Sequence, residues 1–144
     1  MRVFIAGIMQ GDRPDPSIDS QDYRVQITHA LQTHIPNVDI VDPWALNPNS
    51  IYYADQQARH TFLTMTKQAS EVQLLIAYLP KPSMGTAMEM WEAYQANVYI
   101  IAVTPLQHHW AIRFTANEVL PDLETLLADI ANGRIAQLLN GRSG

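Results

Sequence analysis

The stretch Leu74-Leu75-Ile76-Ala77-Tyr78-Leu79-Pro80-Lys81-Pro82-Ser83-Met84-Gly85-Thr86-Ala87-Met88-Glu89 decides the fold of this chain. The run from Leu74 to Leu79 has no polar alternation, which suits a strand covered on both faces, as in a parallel sheet flanked by helices. Pro80 and Pro82 forbid further ladder pairing and hold the next turn extended. Ser83 stands where a helix wants its N-cap. Gly85, Thr86 and Ala87 then leave the first N–H groups of that helix open to an anion or a sugar hydroxyl. Glu89, six residues after Ser83 and in the second turn, comes close to the carboxyl edge of the sheet, where open α/β folds bind ligands.

Outward from this stretch the same alternation continues in both directions. Arg2 to Ala6 reads as a first strand that ends at Gly7 and opens into a Gly/Pro-containing loop reaching Pro16. Ser20 is the expected N-cap of a helix over 21–34, with Tyr23, Ile27, Ala30 and Leu31 facing a core and Pro36 closing it. Val38 to Val41 forms a short strand, with Asp42-Pro43-Trp44 leaving its carboxyl end and Asn47-Pro48-Asn49-Ser50 forming a further loop. A helix over 54–70 places Ala58, Phe62, Met65 and Ala69 on one face. The central strand takes in 72–79, its helix runs over 84–96, and Val98 to Val103 is another strand, ended by Pro105. His108 to Thr115 allows one or two helical turns; Pro121 opens a last helix that Gly133 interrupts. Together these predict one α/β domain over 1–144. Its core is a small, open, mostly parallel sheet with helices on both faces, flavodoxin-like or Rossmann-like.

Composition narrows the function. The chain has 144 residues, 47% apolar and 16% charged, enough for one buried core and unlike a disordered sequence. With no cysteine, it has no disulfide framework, thiol nucleophile or thiolate metal site. The five histidines form no metal-binding pattern, so neither a metal nor another cofactor is expected. A net charge of −5 with scattered Lys and Arg argues against polymeric nucleic acid, while a small anion needs only one local positive site. No apolar run approaches a membrane span, and the start of the chain lacks the pattern of a secretory signal, so a cytoplasmic location is expected.

The segment Ser83-Met84-Gly85-Thr86-Ala87-Met88-Glu89, following a strand that ends in Tyr78-Leu79-Pro80, resembles the active-site signature of the nucleoside 2-deoxyribosyltransferase family. The serine makes it closer to the family's 2'-deoxynucleoside 5'-phosphate N-hydrolase branch. The transferases acting on unphosphorylated nucleosides usually carry an aspartate there. The resemblance implies that Glu89 is the nucleophile attacking the anomeric carbon of the sugar and that Ser83 binds the 5'-phosphate. It extends over about residues 2–113, with the specific part at 83–89. The first loop, Gly7-Ile8-Met9-Gln10-Gly11-Asp12-Arg13, matches the family's sugar-phosphate loop at Gly7, Gly11 and Arg13, and Asp15 and Tyr23 fall near an acidic residue and a tyrosine of that family. Read by itself, that loop is equally an ordinary turn with a solvated arginine. Phe4 stands where the transferases have a tyrosine that hydrogen-bonds the glutamate, and Met65 where the family often has an aspartate.

The expected substrate is therefore a nucleoside or nucleoside 5'-monophosphate. Gly7, Met9, Gly11, Arg13, Asp42, Ser83, Gly85 and Met88 are the candidate binding residues and Glu89 the candidate catalyst. The methionines suit a flat base because thioethers adapt to rings, although core packing is their more frequent use. Glu92, one turn after Glu89, is the rival carboxylate and reads as a surface residue. The alternative function is a non-catalytic nucleotide-binding module, favoured by Phe4 and Met65. Trp91, Tyr94, Trp110, Ile112 and Phe114 suit a subunit interface. The family resemblance implies a homodimer or larger assembly with a shared active site, His109 or Arg113 facing the neighbour's pocket.

Overall fold

The computed structural model describes residues 1–142. Five strands form one parallel sheet: β1 (Arg2–Gly7), β2 (Asp39–Val41), β3 (Leu74–Tyr78), β4 (Tyr99–Val103) and β5 (Glu118–Leu120), in the order β2-β1-β3-β4-β5. The helices are α1 (Asp22–His34), α2 (Pro43–Leu46), α3 (Asp55–Gln68), α4 (Met84–Gln95), α5 (Trp110–Arg113), α6 (Leu123–Ala131) and α7 (Arg134–Arg142), with a 3-10 turn at Ser50–Tyr52.

Alternation along the strands builds two cores. Val3, Ile5, Leu74, Ile76, Ile101 and Val103 pack under α1, α6 and α7. Phe4, Ala6, Leu75, Ala77, Ile100 and Ala102 face the other way, toward Ala69 after α3, Met90 and Ala93 of α4, and Ile112 of α5. Apart from Arg2 at the start of β1, the inner strands carry no charged residue, as expected for a sheet covered on both faces. No helix among the described residues is long and apolar enough to cross a membrane.

The differences from the sequence reading have local causes. Ser20 is not the cap of α1: Gln21 holds that position without a side-chain cap bond, and the Ser20 hydroxyl instead accepts from the Asp22 N–H at 3.3 Å. The stretch after β2 turns helical because Asp42 accepts from the Trp44 N–H at 3.1 Å and Pro43 fits the first helical position. β5 went unread because only three residues pair, each only partly buried. Gly133, at φ +87°, ends one helix and starts another. The face of α3 expected to enter the core buries only Thr66 within the helix; Ala58, Thr61, Phe62 and Met65 line a cleft instead.

Candidate active site

In this strand order β1 connects outward to β2 and the chain then crosses to β3 on β1's other side. A crevice therefore opens beyond the carboxyl ends of β1 and β3. A cleft of about 620 Å³ opens there, walled by the β1–α1 loop, the segment from Pro43 to Tyr53, α3 and the start of α4. Gly7, Met9, Gly11, Arg13, Ser83, Gly85 and Glu89 all line it.

Glu89 reaches the cleft because Gly85 lies one helical turn before it, on the same side of α4. Its carboxylate makes no hydrogen bond or ion pair among the described residues. Burial pushes its pKa up to about 8, with Arg24 opposing and Asp42 adding to the rise. Glu92 turns away and forms a 3.7 Å ion pair with Lys67 of α3. Met88, one residue off the cleft side, is exposed and does not line it; Met9, Met65 and Met84 are the methionines on its wall.

Ser83 caps α4, its oxygen accepting from the Thr86 N–H at 3.3 Å and the Thr86 hydroxyl at 2.9 Å. Its own O–H is left to donate to a ligand. The β1–α1 loop opposite is held by charge. Arg13 pairs with Asp19 at 2.6 Å and donates to the Ser17 hydroxyl at 3.2 Å, while Asp15 accepts from Ser17. Lys81 reaches across from the β3–α4 turn to Asp12 at 2.8 Å and Asp19 at 3.5 Å. Hydrogen bonding from Arg13 holds the Asp19 carboxyl below its ordinary range, and Lys81 does the same for Asp12.

The glycines are needed for space and for conformation. A Cβ on Gly7 would run into the Tyr23 ring, whose hydroxyl donates to the Ile8 carbonyl at 3.0 Å. Burial raises the Tyr23 pKa above its ordinary value, so this phenol stays protonated. Gly11 has φ +61°, and a Cβ there would meet Ile8 at 2.8 Å.

The sequence reading missed Arg24, which is fully buried behind the cleft. β2 pairs with β1 only as far as Phe4↔Val41, whereas β1 runs on beside β3 to Gly7. The Arg24 guanidinium occupies the notch that β2 leaves. It donates to the Ile5 carbonyl at 2.8 Å, the Gly7 carbonyl at 3.2 Å and the Asp42 carboxylate at 3.0 Å, and its Nε donates to Gln21 at 2.7 Å. Asp42 was expected to touch substrate; it is buried in this pair and does not line the cleft. The available signal was a long cation adjoining the apolar face Tyr23, Ile27, Leu31, with no Asp or Glu three or four residues away on the helix to pair with it.

Phe4 lies fully buried on the α3/α4 side of the sheet, and Met65 stands on the cleft wall. Among the described residues no three His, Asp or Glu side chains are grouped as a metal would require. His109 lines a second, mostly apolar crevice of about 300 Å³ on the other flank of α4, with Leu79, Met90, Leu106 and Ile112. The Arg113 guanidinium lies over the Phe114 ring.

No protein-family model matches the sequence, and no curated protein matches it. Solved structures do share its fold. A 2-deoxyribosyltransferase from Bacillus psychrosaccharolyticus superposes with a TM-score of 0.66 at 10% identity, over 88% of this chain and 90% of that one. A conserved protein from Enterococcus faecalis V583 gives 0.62 at 19% identity, over 92% and 98%. The CMP N-glycosidase of Clostridium botulinum gives 0.53 at 17% identity, over 91% and 98%. At these identities the likeness is one of architecture: this chain has the open parallel α/β fold on which those three proteins are built.

Proposed function

We propose that the cleft binds a nucleoside 5'-monophosphate or nucleoside and that Glu89 breaks its N-glycosidic bond. The observation that carries this reading is Glu89 itself, a carboxylate without a partner on the wall of a cleft at the switch point of the sheet. A glutamate Oε attacks the anomeric carbon, a C–O bond forms as the C–N bond breaks, and the electron pair leaves with the base, which takes up a proton. Water or a second base then attacks the same carbon and frees Glu89, giving hydrolysis or exchange. Two of the matching folds belong to proteins named as a 2-deoxyribosyltransferase and a CMP N-glycosidase, which supports this class of chemistry.

The finer preference, for a phosphorylated substrate, rests on Ser83. Its O–H is free to donate, and the N–H groups of the first turn of α4 lie beside it. The site is proposed to be completed by a second copy of the chain, because Trp91, Tyr94, Trp110 and Phe114 are all about half exposed or more.

The second reading, a binding module without chemistry, is favoured by one observation: a carboxyl with its pKa near 8 is mostly protonated at neutral pH and a poor nucleophile. Incubation with a panel of ribo- and deoxyribonucleotides and their nucleosides, followed by chromatography for free base, separates the two. Release of base from any member supports the enzyme. Thermal stabilisation by a nucleotide with no base released at any pH from about 6 to about 9 leaves the module.

A further inference from the structure

We infer that the cleft is built for a nucleotide whose base already carries a positive charge, on a ring nitrogen that is alkylated or pyridinium-like. The wall sets an unneutralised carboxylate, Glu89, against an aromatic and thioether face, Phe62 and Met65, and offers no acid to a leaving base.

Of the described residues lining the cleft, Asp15 and Glu89 are the acids and Arg13 is the one cation. Arg13 is committed to Asp19, outside the lining, at 2.6 Å, so the wall keeps an excess of negative charge. Asp15 takes its hydrogen bonds from Ser17, and neither it nor Glu89 forms an ion pair among the described residues. The facing helix α3 supplies electron-rich surface. Phe62, about half exposed, stands across from α4: its ring lies 3.8 Å from where a Cβ on Gly85 would be, one helical turn before Glu89. Met65, three residues on, and Tyr53 line the same cleft. The negative face of an aromatic ring attracts a cationic heterocycle more strongly than a neutral one. A thioether adapts to the flat surface of such a ring, and a carboxylate adds a direct charge attraction.

The chemistry of departure points the same way. When a Glu89 Oε bonds to the anomeric carbon, the electron pair of the C–N bond goes to the base. An ordinary base becomes an anion that needs a proton, whereas a positively charged base leaves neutral and needs none. Of the side-chain types that serve as general acids, the described wall carries Asp15, Tyr53 and Glu89, with no His, Lys or Cys. Glu89 is bound to carbon at that moment. Hydrogen bonds from Ser17 hold the Asp15 carboxyl below its ordinary range, and the Tyr53 hydroxyl donates to the Asn47 side chain at 3.4 Å. Lys81 and His109 lie outside this lining. Water then attacks the same carbon, frees Glu89 as a carboxylate and gives a proton to solvent. The sum is cationic nucleotide plus water to neutral base, sugar phosphate and one proton.

The inference rests on reading Glu89 as the reacting group, and the experiment tells the two apart. The full chain is incubated with 7-methylguanosine 5'-monophosphate and with guanosine 5'-monophosphate, and free base is followed by chromatography against enzyme-free controls. KM for the methylated nucleotide is compared with the inhibition constant of the unmethylated one against it, in wild type and in Phe62→Leu. The methylated nucleotide should release its base more than about tenfold faster, with a KM below that inhibition constant by a similar factor. Phe62→Leu should raise this KM severalfold and leave the inhibition constant nearly unchanged, a split that a merely structural role would not produce. Three results overturn the inference and leave cleavage by Glu89 standing: comparable release from the unmethylated nucleotide, as an acid lent by a second copy would give; equal affinity for the two; or an unmoved KM in Phe62→Leu. Release only from other unmodified nucleotides does the same. Release of base from no nucleotide or nucleoside at all ends both readings together.

Discussion

The Arg13 guanidinium lies 2.6 Å from the Asp19 carboxylate, so the cation best placed for a substrate phosphate already holds an anion. A phosphate entering the loop must displace or share that partner. Asp19→Asn removes the competition and should tighten a nucleoside 5'-monophosphate severalfold while leaving the matching nucleoside unchanged, as read by calorimetry. Equal effects on both ligands would show that Arg13 does not meet the phosphate.

Ser83 carries two proposed duties on one oxygen, and they can be separated. Ser83→Ala loses a helix cap, a loss of about 1 kcal/mol in denaturant unfolding. It also loses a hydrogen bond to a charged ligand, worth roughly 1.5–3 kcal/mol, tenfold or more in affinity. The second loss should fall on the nucleotide and spare the nucleoside.

Glu89 links proton binding to stability with a definite sign. Its folded pKa of about 8 stands above the ordinary 4.5, so between these values the folded state holds a proton that the unfolded chain has released. The stability Glu89 contributes is therefore complete below pH 4.5 and drains away as pH rises through 8. Glu89→Gln is free of this slope. Its melting temperature should match wild type at low pH and exceed it increasingly toward pH 8, in differential scanning calorimetry. The same ionisation makes wild-type turnover rise with pH up to this range, and the variant should bind a nucleotide yet release almost no base.

Gly7→Ala tests the contact behind the loop. The new methyl meets the Tyr23 ring and pushes its hydroxyl off the Ile8 carbonyl, at an overpacking cost of roughly 1–3 kcal/mol in urea unfolding.

The apolar groups on α4 and α5 make the last expectation one of assembly. Trp91 stacks on Tyr94, and Trp110 meets Phe114 edge-on, all on exposed surface. Light scattering at micromolar concentration should give a dimer or larger species, and Trp91→Ser with Trp110→Ser should give a monomer.

What could be read from the sequence was whatever local patterning decides. The unbroken apolar run of β3, the prolines after it and the Ser83 cap follow from neighbours in the chain, so the parallel sheet and the place of Glu89 were legible. Met88 was misplaced because one residue along a helix turns a side chain by about 100°. The Arg24–Asp42 pair spans 18 positions and depends on where β2 stops relative to β1, a matter of register that no local pattern encodes. Arg13 was legible as a lining residue but not as a paired one, since Asp19 reaches it only through the folding of the loop.

Lys81 stands between two prolines in a turn with little conformational freedom, and only its side chain reaches the loop across the cleft. One rim of the site is thus fastened by a covalently stiff turn and a capped helix, the other by a clasp of solvated charges. Exposed ion pairs fade as the Debye length shortens, whereas the Ser83 cap and the buried Arg24–Asp42 pair do not. Ionic strength should therefore act on this protein as a mechanical variable: added salt is expected to loosen the Asp12 to Asp19 rim, while the spacing of Ser83 and Glu89, fixed by α4, is expected to stay constant.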